Sequence, residues 1–310
     1  MTRSSMRCGR GWAAALLVVA CGCGAAGPEE PVPPPSAEPP VASPPAAAAS
    51  PRAVALPTGG RYVWRLSPAP DGVTALVGRS VGFFPDTRES SIYELSRGPD
   101  GGWATATEVP FVGSDTSDLD PSYSADGSRV LFSSIRPVDG VARTDTEVWS
   151  VERRPDGSWG EPEHVAAAGS PEDDLFPSVG PDGTLYVGSD RGGAGFDIWA
   201  APPAADGGWG TPAPLPAPVT TPRWEFNPAV SPDGSVLVFT ARGRDGGEGS
   251  GDLFASRAGP GGWGEPAPVE EVNGTGDEYH PSFSPDGRTL YFVRNGTLHE
   301  FPAEAAEAAG

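Results

Sequence analysis

Asp277, Glu278 and His280 stand together in DEYHPSFSPDG. Two acids beside an imidazole are raw material for a metal site or an acid–base pair. Glu278 has counterparts: an acid precedes a proline by three residues at Asp118, Asp174, Glu225 and Glu278. A ring of such carboxylates around an axis would hold a cation or a basic peptide. The same acids repeated in one column also suit a hydrogen-bonding post that ties each unit to its neighbour. Catalytic acids need environments that push their pKa values apart, and equivalent positions share theirs. The residue immediately before the proline behaves differently, reading Arg65, Asp120, Phe176, Asn227 and His280. Groups of different chemistry in one column are what a ligand site on an axis requires, although a plain solvent-facing position, the simpler reading, varies in the same way.

Other constellations are missing from the chain. The three histidines, His164, His280 and His299, fall in no HExxH spacing, and the acids form no DxDxDG calcium loop. There is no GxSxG elbow. No metal and no cofactor is expected. One catalytic alternative remains, a glycosidase using two carboxylates from Asp118, Asp120, Asp174, Glu225 and Glu278. A further recurring pair, Arg136, Arg191 and Arg242 with Glu147, Asp197 and Asp252, reads as an arginine–carboxylate clamp across a hairpin loop.

These columns are positioned by a repeat. A turn of the form Pro-Asp-Gly or Ala-Asp-Gly recurs with aspartates at Asp71, Asp126, Asp182, Asp233 and Asp286, in steps of 55, 56, 51 and 53 residues. Asp-Gly supplies the Asx hydrogen bond and positive φ of a tight hairpin. An alternating apolar strand follows each turn, then a loop, a second strand such as EVWSVE or DIWAAP, and a last strand opened by Trp103, Trp159, Trp209 or Trp263. Four short strands per unit of about 50 residues is the signature of a β-propeller blade. The tryptophans are expected to pack between blade edges.

The fifth unit lacks its outer strand. In the other junctions the last apolar residue lies 17 or 18 residues before the turn aspartate, as with Val109 and Asp126 or Leu215 and Asp233. Seventeen residues before Asp71 is Val54, so 51–56 is expected to complete the blade built from 278–302 and to close the ring. The fold class is therefore all-β: a five-bladed propeller of four-stranded antiparallel blades over 51–302, closed by an N-terminal strand. Residues 303–310 read as a disordered tail.

The third unit, DLFPSVGPDGTLYVGSDRGGAGFDIWAA, carries the pattern acid-x-x-Pro-x-x-x-Pro-Asp-Gly, then SDR, a glycine-rich loop and DIW. With its sister units it resembles the TolB-like, WD40-like propeller repeat of bacterial envelope proteins. The resemblance implies scaffolding and protein interaction rather than catalysis. The first unit departs from it, with Val63 and Leu66 in place of the acid and the proline.

The N-terminus agrees with export. Arg3, Arg7 and Arg10 precede the short apolar run WAAALLVVA, so 1–20 reads as a signal peptide. LVVAC resembles a lipobox with Cys21 as the lipid acceptor. Residues 24–50 are almost all Pro, Ala, Gly, Ser and Glu. At ~3.1 Å per residue this tether reaches roughly 80 Å when extended. No cysteine follows Cys23, so no disulfide is expected. All 21 basic residues are arginines, and a net charge of −20 argues against nucleic acid. The expected protein is a monomeric, lipid-anchored envelope module, with the outer membrane favoured. Its partner would be another envelope protein, or else a peptidoglycan- or glycan-linked one.

Overall fold

The computed structural model describes residues 50–57, 62–82, 89–113 and 116–307. The expected signal peptide, Cys21 and nearly all of the expected tether lie outside these residues. Among the described residues no helix is long and apolar enough to cross a membrane.

Five antiparallel sheets form the five blades. The innermost strands are Tyr62–Pro68, Asp118–Tyr123, Asp174–Val179, Trp224–Val230 and Glu278–Phe283. Each pairs with the strand after its Asp-Gly turn, for example Thr74–Ser80 and Val236–Arg242. The turn glycines carry the positive φ that the hairpin demands, from 70° at Gly287 to 85° at Gly183. The aspartates accept backbone amides two residues on, as Asp233 does from Ser235 at 3.0 Å.

Arg52–Ala53 pairs antiparallel with Thr297–Pro302, Arg52 opposite Glu300 and Ala53 opposite His299. The N-terminal strand is thus the outer strand of the fifth blade, and the ring closes as expected. Val54 and Leu56 pack onto the cluster of Val77, Leu95, Tyr291 and Leu298 between the fifth and first blades.

Five apolar clusters fill the five junctions between blades. The outer-strand tryptophans belong to them, each joining the cluster shared with the preceding blade, as Trp159 does beside Phe111 at a ring separation of 4.9 Å. Arg97 and Arg153 cover Trp103 and Trp159 at 4.2 and 4.1 Å.

The expected disordered tail from 303 is corrected in its first part. Ala303–Glu307 forms a short helix, and Ala303 and Ala306 are fully buried against Val272, Phe292 and Phe301. A run of alanine and glutamate has high helix propensity, and the apolar floor between the fourth and fifth blades supplies the burial.

Candidate functional site

The four column acids are fully buried, and each is held by an arginine from the end of the second strand or the loop after it. Asp118 receives Arg136 at both oxygens, at 3.1 and 2.8 Å. Asp174 receives Arg191, and Glu278 receives Arg294 at 2.7 Å. Glu225 lies 3.5 Å from Arg244 and accepts the hydroxyl and amide of Thr221. The same arginines also donate to carbonyls of the segment entering the blade: Phe111, Ala168, Val219 and Val272. Burial nevertheless pushes the carboxyls of Glu225 and Glu278 above their ordinary range. Acids fixed this way brace a blade against its incoming linker.

The hairpin clamp read from sequence is therefore corrected. Arg136 and Arg191 reach back to the innermost strand instead of across their loops. In the fourth blade the role belongs to Arg244, while Arg242 donates to the Ser250 carbonyl. Glu147 pairs with Arg143 and His164, and Asp252 accepts the amides of Glu248 and Gly249.

The pre-proline column has a backbone cause. In the second to fifth blades the innermost strand loses register at this residue and the proline after it, as between Leu119 and Ser122 or Tyr279 and Ser282, and in the first blade at Trp64 and Arg65. Proline offers no N–H to the ladder, and a bulge is where a sheet tolerates that. Asp120, Phe176, Asn227 and His280 adopt φ of 53°, 59°, 53° and 55°. Such values are uncommon outside glycine, most of all for an aromatic residue, and cost about 1–2 kcal/mol each. In the first blade Leu66 replaces the proline, and Arg65 does not share the left-handed φ.

These bulges bring the column together on the axis. Arg65 spans it, donating to the Pro177 and Pro228 carbonyls of the third and fourth blades at 3.0 Å each. Burial pulls its guanidinium down to about 10, with the Asp120 charge opposing. His280 Nδ1 lies 2.9 Å from Asp120 Oδ1 and 3.1 Å from Asn227 Nδ2. The Phe176 ring is 5.7 Å from the imidazole and the Trp64 ring 5.1 Å, both edge-on.

On one side of this plug the channel opens into a cup of about 310 Å³. Its walls are aromatic: Trp64, Phe176, Phe196, Trp224, Phe226 and Tyr279. Asn227 and His280 are its buried polar groups, and Asp173 and Arg242 join its lining nearer solvent. Trp224 is 39% exposed, with Arg242 stacked 5.1 Å above its ring. Gly195, at φ 116°, permits this placement, because a Cβ there would lie 2.0 Å from Trp224 Nε1. The cup thus contains Phe176, Asn227 and His280 from the column read in sequence. Asp118, Asp174, Glu225 and Glu278 do not line it. The aromatic walls escaped sequence reading, since Trp64, Phe226 and Tyr279 fall in the ordinary apolar alternation of the innermost strands. Phe196 immediately precedes the strand Asp197–Ala201, and Trp224 opens the innermost strand of the fourth blade.

No family model matches the chain, and no curated protein matches it in sequence. Solved structures do resemble it. A TolB-type protein of Agrobacterium tumefaciens aligns with a TM-score of 0.51 at 19% identity, covering 76% of this chain and 70% of its own. An endo-arabinase from Bacteroides thetaiotaomicron aligns at 0.52 and 14%, covering 81% and 97%. An α-L-arabinofuranosidase from Lactobacillus brevis aligns at 0.51 and 15%, covering 79% and 91%. At these identities the likeness is one of fold, common to a TolB-type protein, an endo-arabinase and an α-L-arabinofuranosidase.

Proposed function

We propose that this chain is an exported, lipid-anchored binding propeller of the bacterial envelope. It takes an apolar or aromatic group of a protein partner into the axial cup and carries out no covalent chemistry. The observation that carries this reading is the contrast between the two columns. Four of the five acids a glycosidase would draw on are buried against arginines and the fifth, Asp120, is buried beside His280, whereas the open mouth is walled by aromatic rings.

The chemistry of the cup favours a side chain over a sugar. An aromatic side chain burying about 150 Å² there gains roughly 3–4 kcal/mol before the costs of association. A sugar ring carries several hydroxyls, and each one buried without a partner costs about 1–3 kcal/mol. Two buried polar groups, Asn227 and His280, cannot satisfy them all. The signal segment, the Cys21 lipobox and the long tether support a module held away from a membrane, and the acidic surface argues against nucleic acid.

Turnover of polysaccharides and aryl glycosides by the full chain separates the two classes of function. No hydrolysis is expected with any of them. Hydrolysis that disappears in Glu225→Gln or Glu278→Gln would overturn the non-catalytic reading.

A further inference from the structure

The opposite end of the channel holds a second cavity of about 320 Å³, reached past the Asp-Gly turns. Its wall is a collar of small side chains at one position of the innermost strands: Ser67, Ser122, Ser178, Ala229 and Ser282. Arg65, two residues before Ser67, lines it as well. Two donors in this lining are buried and have no hydrogen-bond partner among the described residues. They are Nε of Arg65, which is 3% exposed, and Oγ of Ser178, which is 4% exposed. Ser67 accepts the Tyr123 amide, which leaves its own hydroxyl proton free to donate. Asp120 balances the Arg65 charge but accepts no hydrogen bond from it. Buried donors left unsatisfied are costly, and an oxyanion is the group that satisfies several at once.

The rim has the opposite sign. The turn aspartates of all five blades stand beside the cavity-lining Pro70, Ala125, Pro181, Pro232 and Pro285. Hydrogen bonds hold four of them below the ordinary carboxylate range, Asp233 at about 2, where Ser231 and Ser235 both donate to it. A simple anion would meet this ring before reaching the donors. A molecule with a carboxylate at one end and cationic groups behind it matches both layers.

We propose that this funnel is a second ligand site, separate from the aromatic cup, which takes the free carboxylate of a basic peptide terminus. The carboxylate meets Arg65 Nε and the Ser178 hydroxyl, and the basic side chains meet the turn aspartates.

Titration of the full chain with three probes tests this: acetyl-Lys-Lys with a free carboxylate, the same peptide as its amide, and acetyl-Glu-Glu. Saturable one-to-one binding is expected for the first only. The amide should bind at least about tenfold more weakly, and added salt should weaken the interaction. Ser178→Val narrows the collar and removes a donor, so it should cost about tenfold with the melting temperature unchanged, and Ser178→Ala should cost less. Arg65 also ties three blades together, so the serine variants provide the cleaner readout. Equal binding of the acid and the amide would reduce the site to an acidic surface and overturn the proposal. So would equal binding of acetyl-Glu-Glu, or no saturation by any probe.

Discussion

At the scale of single residues, two sets of carboxylates are built in opposite ways and should respond oppositely to pH. Glu278 is fully buried and its pKa is raised by burial, with Arg294 as its main compensation. Arg294→Ala leaves that charge without its partner. The arginine is itself partly open to water, so the loss should be about 2–3 kcal/mol, or roughly 5–10 °C in Tm at neutral pH. A carboxyl whose folded pKa is raised penalises the fold as pH rises through that pKa and not below the unfolded value near ~4. The Tm gap between Arg294→Ala and the parent should therefore narrow in acid, and Glu278→Gln in the Arg294→Ala background should restore part of the loss. Asp233 is the reverse case, exposed and held at about 2 by the hydrogen bonds it accepts. Its contribution is complete above ~4 and fades as pH falls towards 2. Asp233→Ala should lower Tm by about 2–4 °C at pH 7, the value of one side-chain–backbone bond, with a smaller difference at pH 2.5. Thermal melts across pH check both signs.

At the scale of elements, the repeat made most of the architecture readable. Five Asp-Gly turns gave the blade count, and the constant spacing from the last apolar residue to the turn aspartate placed Val54 in the fifth blade. What closure contributes can be measured. Val54 and Leu56 are half-buried, so deleting 51–57 should cost about 3 kcal/mol and lower Tm by roughly 6–12 °C. A Tm within 2 °C of the parent would refute closure. Other features were less legible for physical reasons. The recurring arginines read as partners of the acids across their loops because those acids are nearer in sequence than the column acids; in the fourth blade ARGRD also offers two arginines, and only folded geometry brings Arg244 to Glu225. The helix at Ala303–Glu307 looked like a tail because alanine and glutamate carry no apolar stripe, yet the blade junction needs only two methyl groups. The pre-proline column was recognisable by its refusal to repeat. The bulge that aims it at the axis, and the left-handed φ at Phe176, were not.

At the scale of the whole molecule, the channel is closed near its middle by Arg65, Asp120, Asn227 and His280, which leaves two mouths of different chemistry. The aromatic cup arises from strands far apart in sequence, so no local pattern announces it. On the proposed reading, a propeller on a tether with an open mouth would recognise its partner at a distance from a membrane. Cys21→Ser should release the protein from the membrane fraction, and unchanged fractionation would remove the lipid anchor from the account. The central claim is that the cup takes an apolar ring rather than a glycan. Isotherms of the full chain with N-acetyl-tryptophanamide and with arabinotriose, repeated with Trp224→Ala, test it most directly. One saturable site for the indole, weakened about tenfold by Trp224→Ala, with no response to the sugar, is the expected result. Saturable binding of arabinotriose with none of the indole would contradict it.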